Sequence, residues 1–221
     1  MPNYAALQNK KAELIRKATD GSLFLAAASA PAIGALTTDT AGVTSLTPLP
    51  TGYDDLGWVT SDGAAFSRDV STSDITSWGS VSPTRSDITA DTTTLTVVPQ
   101  ETKLQTIALA TGADLAAITS AATTGEVRIN KPLRASARSY RVLVVAVDET
   151  ENGEIYVARF LPRAKVTGFA PQNLGGGDNA IEWGVTFTAE PDGTLGYSES
   201  WIFGGEGWNA LLTAMDIPAA A

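Results

Sequence analysis

Apolar positions follow two different spacings along this chain of 221 residues. Over residues 4–18 the spacing is helical: Tyr4, Leu7, Leu14, Ile15 and Ala18 share one side, with Lys10 and Lys17 off it. Asp20-Gly21 stops this N-terminal helix, and residues 22–28 read as a strand. Residues 29–52 are rich in Ala, Thr, Gly and Pro with weak periodicity, which predicts a long loop or arm.

From residue 53 onward the period shifts towards two. Trp58-Val59-Thr60 and Ala65-Phe66-Ser67 flank the turn dipeptide Asp62-Gly63, predicting a hairpin. Ser73–Trp78 and Arg85–Thr89 read as short strands, and Thr92–Val98 as an alternating strand that Pro99 ends. Residues 101–110 return to helical spacing, with Leu104, Ile107 and Ala108 on one side and Gly112 as the cap. Asp114 is placed to cap a short turn at 115–119.

Arg141–Val147 is apolar on both faces, the pattern of a central strand covered on both sides. Asn152-Gly153 separates it from the apolar run Ile155–Leu161, a strong hairpin signal. Ile181, Trp183, Val185, Phe187 and Ala189 alternate with polar residues, giving a half-buried strand. Pro191-Asp192-Gly193 turns the chain into a returning strand bearing Leu195, Tyr197, Trp201 and Phe203, and a short helix around Trp208 follows. The fold class is therefore mainly β: an antiparallel β-sandwich or split barrel with one packed α-helix and an N-terminal helical arm. Residues 1–52 form the helix, strand and arm, and residues 53–221 the β domain.

Composition narrows the chemistry. There is no Cys and no His, which removes disulfides, thiolate catalysis, Cys/His zinc sites and histidine general bases. The net charge of −9 disfavours binding to polyphosphate. Residues 1–20 lack the layout of a signal peptide, and the apolar run 23–28 is too short to span a bilayer, so no membrane insertion is expected. Charge is also blocked: residues 1–20 and 126–165 are net basic, residues 21–125 and 166–221 net acidic. Alternating blocks suit a protein that binds copies of itself through complementary faces.

No motif carries catalysis or a cofactor. Asp54, Asp55, Asp74, Asp87 and Asp91 read as turn and strand-end aspartates rather than acid–base pairs or a calcium loop. Gly175-Gly176-Gly177-Asp178-Asn179 precedes a strand and lacks the helix and lysine of a phosphate cradle. Arg128, Lys131, Arg134 and Arg138 form a basic stretch with little aromatic interleaving, expected as a solvated face or an inter-subunit contact. Of the five tryptophans, Trp183 and Trp201 sit at alternating positions that predict core packing.

The segment Asp55-Leu56-Gly57-Trp58-Val59-Thr60-Ser61-Asp62-Gly63 resembles a D-L-G-aromatic-V-x-x-D/E-G stretch of phage major tail proteins. Thr76-Ser77-Trp78-Gly79, Thr84-Arg85-Ser86-Asp87, the Thr-rich strand and the helix at Glu101–Ala110 follow in the same order. The ordered set is similar to tail-tube subunits of siphophages, especially those of actinobacterial phages. The resemblance implies a virion protein, made in the bacterial cytoplasm, whose hexameric rings stack into a tube. Its partners would be itself, the tape-measure protein, and the tail tip and terminator proteins. DNA would pass through without sticking, so an acidic channel wall is expected, with Glu182, Glu190 and Glu199 as candidates. A capsid decoration or other adhesion domain is the second reading, and a carbohydrate-binding or hydrolytic domain the third.

Overall fold

Ten strands and two α-helices make up the computed structural model, which describes residues 3–134, 138–176 and 180–218. In chain order they are β1 (Asp20–Ala27), β2 (Thr37–Thr40), β3 (Val43–Leu46), β4 (Asp54–Asp55), β5 (Val59–Ile75) and β6 (Arg85–Pro99). Helix α1 (Leu104–Thr111), β7 (Tyr140–Thr150), β8 (Gly153–Phe169), β9 (Val185–Ala189), β10 (Ser200–Gly204) and α2 (Glu206–Leu211) follow. All strand pairings are antiparallel, and the main sheet runs β4-β1-β7-β8-β9-β6-β5. The mainly β fold class expected from the sequence is the one observed.

Strand β8 organises the molecule. One edge pairs with β7, while the other pairs with β10 over Tyr156–Phe160 and with β9 over Ala164–Phe169. The sheet therefore splits at β8 and turns back on itself. One core lies inside the turn, built on Leu23, Leu25, Val142 and Leu161 from one side and Leu95, Val97, Val185 and Phe187 from the other. A second core, with Leu143, Tyr156 and Phe160, lies on the opposite face of β1, β7 and β8. Adjacent residues Val142 and Leu143 are both fully buried, one in each core. That is why this strand is apolar on both faces.

Several local expectations hold. Gly112 caps α1 in the left-handed region (φ 69°), and the Asp114 carboxylate accepts the Ala116 N–H at 3.2 Å. Thr150 pairs with Gly153 around the Glu151-Asn152 turn. Others are corrected. The predicted helix at 4–18 is two 3-10 turns, Tyr4–Leu7 and Ala12–Leu14, with Tyr4, Leu7 and Ile15 all more than 70% exposed. A helix this short needs a surface to pack on, and Tyr4, Leu7 and Ile15 are not buried against one among the described residues. Residues 29–52 are more ordered than a loop. They carry the β2–β3 hairpin and bury Ile33 and Leu36 in the second core.

Asp62-Gly63 is a bulge rather than a hairpin turn. Val59 pairs with Pro99 and Ala64 with Val97, so β5 advances five residues while β6 advances two. Gly63 takes the positive φ of 66° that this detour needs. The reversal comes after Ile75, so the predicted short strands at 73–78 and 85–89 belong to the far end of one long ribbon. On α1 the buried residues are Thr106, Ala108 and Leu109, and Leu104 is exposed, so the packed stripe is rotated from the one expected. The strand expected from Ile181 begins at Val185. Strand β10 does not return along β9, because β6 and β8 already occupy both edges of β9; it pairs with β8 instead.

Candidate assembly surfaces

The most prominent open surface is the distal half of the β5–β6 ribbon. From Ser67 to Ile75 and from Arg85 to Asp91 every residue is exposed. Its tip carries Trp78 and Val81, both fully exposed, and Ile75 and Ile88 flank it. Polar cross-strand links keep the ribbon in register: Arg68 to Asp91 at 2.7 Å, Ser86 to Asp74 at 2.5 Å and Ser77 to Thr84 at 2.7 Å. The expected turn and strand-end aspartates thus serve the ribbon. Asp87 pairs with Arg85 at 2.8 Å, and Asp54 accepts from Gln105 at 2.6 Å. The outer edge of β5 has no partner strand among the described residues. A long unpaired edge is an invitation to another strand.

The D-L-G-W stretch holds the root of this ribbon. Leu56 is fully buried and its N–H donates to the Leu23 carbonyl at 2.9 Å. The Asp55 carboxylate accepts the Gly57 N–H at 2.9 Å. Gly57 has φ +90°, and a Cβ there would lie 2.4 Å from the Glu101 carboxylate. Lys103 and the Trp58 N–H hold the Glu101 carboxyl below the usual range. These residues brace the start of β5 against the α1 approach; they do not form a reaction centre.

The basic stretch lies in a long exposed connection. Arg128, Lys131 and Arg134 are exposed, and Arg128 pairs with its neighbour Glu126 at 3.2 Å. Arg138 is turned inward, donating to the Ala113 carbonyl at 3.0 Å and pairing with Asp114 at 3.1 Å.

The three candidate glutamates occupy different settings. Glu182 is half-exposed in the lead into β9, where its carbonyl accepts from Gln172. Glu190 ends β9 between Lys165 (2.7 Å) and Arg163 (3.1 Å). The Lys165 ammonium, with Arg163 behind it, holds the Glu190 carboxyl below the usual carboxylate range. Glu190 continues a face rich in hydroxyls. Thr96 meets Thr186 at 3.1 Å, and Thr167 meets Thr188 at 2.7 Å. Glu199 belongs to the inward side of the sheet. It pairs with Arg159 and accepts from Thr93 at 3.1 Å.

Arg159 itself lies between the rings of Phe66 and Trp201, 3.5 and 3.9 Å from their centroids. Trp201 is thus 55% exposed, not a core residue as expected, and stacks on Phe203, which stacks on Trp208. The cation and the stacked rings, not a core, hold it in place. The sequence offered no direct signal for this Arg159–Glu199 contact, which spans 40 residues of chain.

Chemistry of other kinds has little to build on. Among the described residues no group of three or more acidic side chains is placed to hold a metal ion. Gly177, Asp178 and Asn179 of the glycine-rich loop lie outside the described residues. Among the described residues no helix is long and apolar enough to cross a membrane. The deciding comparison is with protein families: the model of the phage tail tube protein family matches residues 8–203. The chain belongs to the phage tail tube protein family. A search of curated proteins finds no match. As a tail tube protein the chain is a structural component of the virion and not an enzyme, in line with the reading from the sequence. The decoration and carbohydrate-acting readings give way to it.

Proposed function

We propose that this tail tube protein closes into hexameric rings, that the rings stack into a tube, and that the genome passes along its channel. The observation that carries the reading is the β5–β6 ribbon. It projects two strands with an open edge and an apolar tip that nothing among the described residues covers. Such a ribbon is an aggregation hazard unless a neighbouring copy pairs with it, and ring closure or stacking supplies that neighbour.

In this reading the hydroxyl face of β6, β8 and β9 lines the channel, with Thr94, Thr96, Thr186, Thr188 and Glu190. Glu190 pairs with both of its cations, Arg163 and Lys165, and offsets one of their two charges, which weakens the pull of the wall on passing phosphates. The half-exposed Glu182 continues that wall beyond β9. Exposed Arg128, Lys131 and Arg134 meet an acidic face of a neighbouring copy. The tape-measure protein occupies the channel before the genome, and tip and terminator proteins close the two ends.

Negative-stain electron microscopy of the purified chain, concentrated in moderate salt with a tail-tip preparation as initiator, tests this. Hollow tubes with six-fold end views are expected. A stable trimer that never forms tubes would overturn the reading.

A further inference from the structure

A groove of about 780 Å³ opens beside the bulge of β5. Its floor is apolar and shallow, built from Gly21, Leu23, Val144, Ala146 and Val157 on three adjacent strands. Trp58 stands on its wall, 76% exposed. Four carboxylates line it, Asp20, Asp55, Asp62 and Glu101; Glu101 pairs with Lys103, and among the described residues no basic side chain forms an ion pair with the other three. The lining also holds two cations: Lys103 pairs with Glu101 and reaches the Asp55 carbonyl at 3.4 Å, and Arg159 pairs with Glu199, so the rim stays net acidic. An apolar sheet face with an acidic rim calls for an apolar segment that carries positive charge.

The chain contains one. Residues 4–18 place Tyr4, Leu7, Leu14, Ile15 and Ala18 on one face of a helix, with Lys11 among them, and Lys10, Arg16 and Lys17 lie off that face. This segment is not helical on its own chain, and Tyr4, Leu7 and Ile15 are exposed. Of this segment only Ala18, at its end, lines the groove of its own chain. The Thr19 N–H donates to the Val147 carbonyl at 2.9 Å, Arg16 pairs with Asp148 at 3.3 Å, and Lys11 reaches the Ala214 carbonyl. These contacts lead the segment past the end of β7, away from the groove floor.

We infer that residues 4–18 of a second copy fold into an amphipathic helix in this groove. The inference rests on the tube reading and names one contact through which a subunit would recognise its neighbour. Helix formation and docking are then one event: the face of Tyr4, Leu7 and Ile15 covers Ala146 and Val157, and the basic residues meet Asp20, Asp55 and Asp62. A helix too short to persist alone gains its stability from that burial.

The chain has no cysteine, so engineered cysteines report cleanly. Chains carrying Leu7→Cys and chains carrying Val157→Cys are mixed, concentrated and oxidised. The mixed disulfide is expected in several-fold excess over either symmetric dimer. In parallel, a labelled peptide of residues 1–19 is titrated onto the full-length chain by fluorescence anisotropy. Saturable binding is expected, at least about tenfold weaker when the peptide carries Leu7→Asp and Ile15→Asp, and weaker again in high salt.

Tubes without the mixed disulfide would overturn the groove contact and leave the tube reading standing. A disulfide that forms within one chain of the doubly substituted protein at dilute concentration would assign the groove to the chain's own segment and overturn the proposal. Where no tubes form, peptide binding decides: saturable, substitution-sensitive binding supports the groove contact while the tube reading fails, and no binding overturns the contact.

Discussion

Glu101 accepts the backbone N–H of Trp58 at 2.7 Å, tying the root of the β5–β6 ribbon to the start of the α1 region across 43 residues of chain. Gly57 makes room for that carboxylate. Two constraints meet at this glycine, the positive φ and the absence of a Cβ. Gly57→Ala is expected to destabilise the chain by about 1–3 kcal/mol. Glu101→Ala alone should cost less, and combined with Gly57→Ala it should recover part of the loss by removing the clash. Urea denaturation of the two single variants and the double variant checks this. Strict additivity would mean the two residues are not coupled.

Arg159 supports a second prediction. Its side chain and that of Glu199 are about one-seventh exposed, so each charge depends on the other. Arg159→Ala would leave Glu199 with the Thr93 hydroxyl and only the weaker charge interaction of Arg68. The expected loss is about 3 kcal/mol, the typical result of removing one partner of a buried pair. Arg159→Lys should recover only part, since an ammonium cannot stack between two rings and fork to a carboxylate at once. Arg159→Met with Glu199→Gln should be milder than Arg159→Ala alone. Thermal melts of the three variants distinguish these outcomes.

Much of the fold was legible because local patterns and tertiary burial agree. Val142 and Leu143 announce a strand covered on both faces, and Gly112 marks the end of α1. What was illegible depends on which partner a segment finds. Asp62-Gly63 has the chemistry of a turn, but only the pairing of Ala64 with Val97 makes it a bulge. The alternation of Trp201 and Phe203 marks a strand without saying that β9 has no edge left to offer. Residues 4–18 carry a helical pattern, yet Tyr4, Leu7 and Ile15 stay exposed and the pattern goes unused among the described residues. Among candidate assembly residues, exposure of Arg128, Lys131 and Arg134 was readable from their density, but the pairing of Glu199 with Arg159 was not.

Tyr156 predicts a limit at alkaline pH. Burial, and then the hydrogen bond its hydroxyl donates to Glu154, push the phenol up to about 12. Its folded pKa lies above its unfolded value of 10.0, so the contribution is complete below pH 10. It is lost as pH rises from 10 towards 12, because the unfolded chain ionises first. Tyr156→Phe should remove this part of the alkaline decline while leaving the acid side unchanged. Stability measured by denaturant from pH 8 to pH 11.5 would show the two curves converging with rising pH; parallel curves would count against it.

The ribbon tip separates folding from assembly. Trp78 and Val81 are fully exposed and lie at the turn of β5 into β6, far in register from both cores. Substituting residues that bury nothing costs little, so Trp78→Ala with Val81→Asp should leave the monomer's stability within about 0.5 kcal/mol of the parent. In a neighbour's interface the same two side chains become buried apolar contacts, and an aspartate there adds an unpaired charge. The doubly substituted chain should therefore melt like the parent yet form few or no tubes. Tube formation scored by electron microscopy beside a thermal melt gives both readouts from one sample. A variant that melts normally and still forms abundant tubes would place the tip outside the contacts between copies. The open edge of β5 would then be left to carry them.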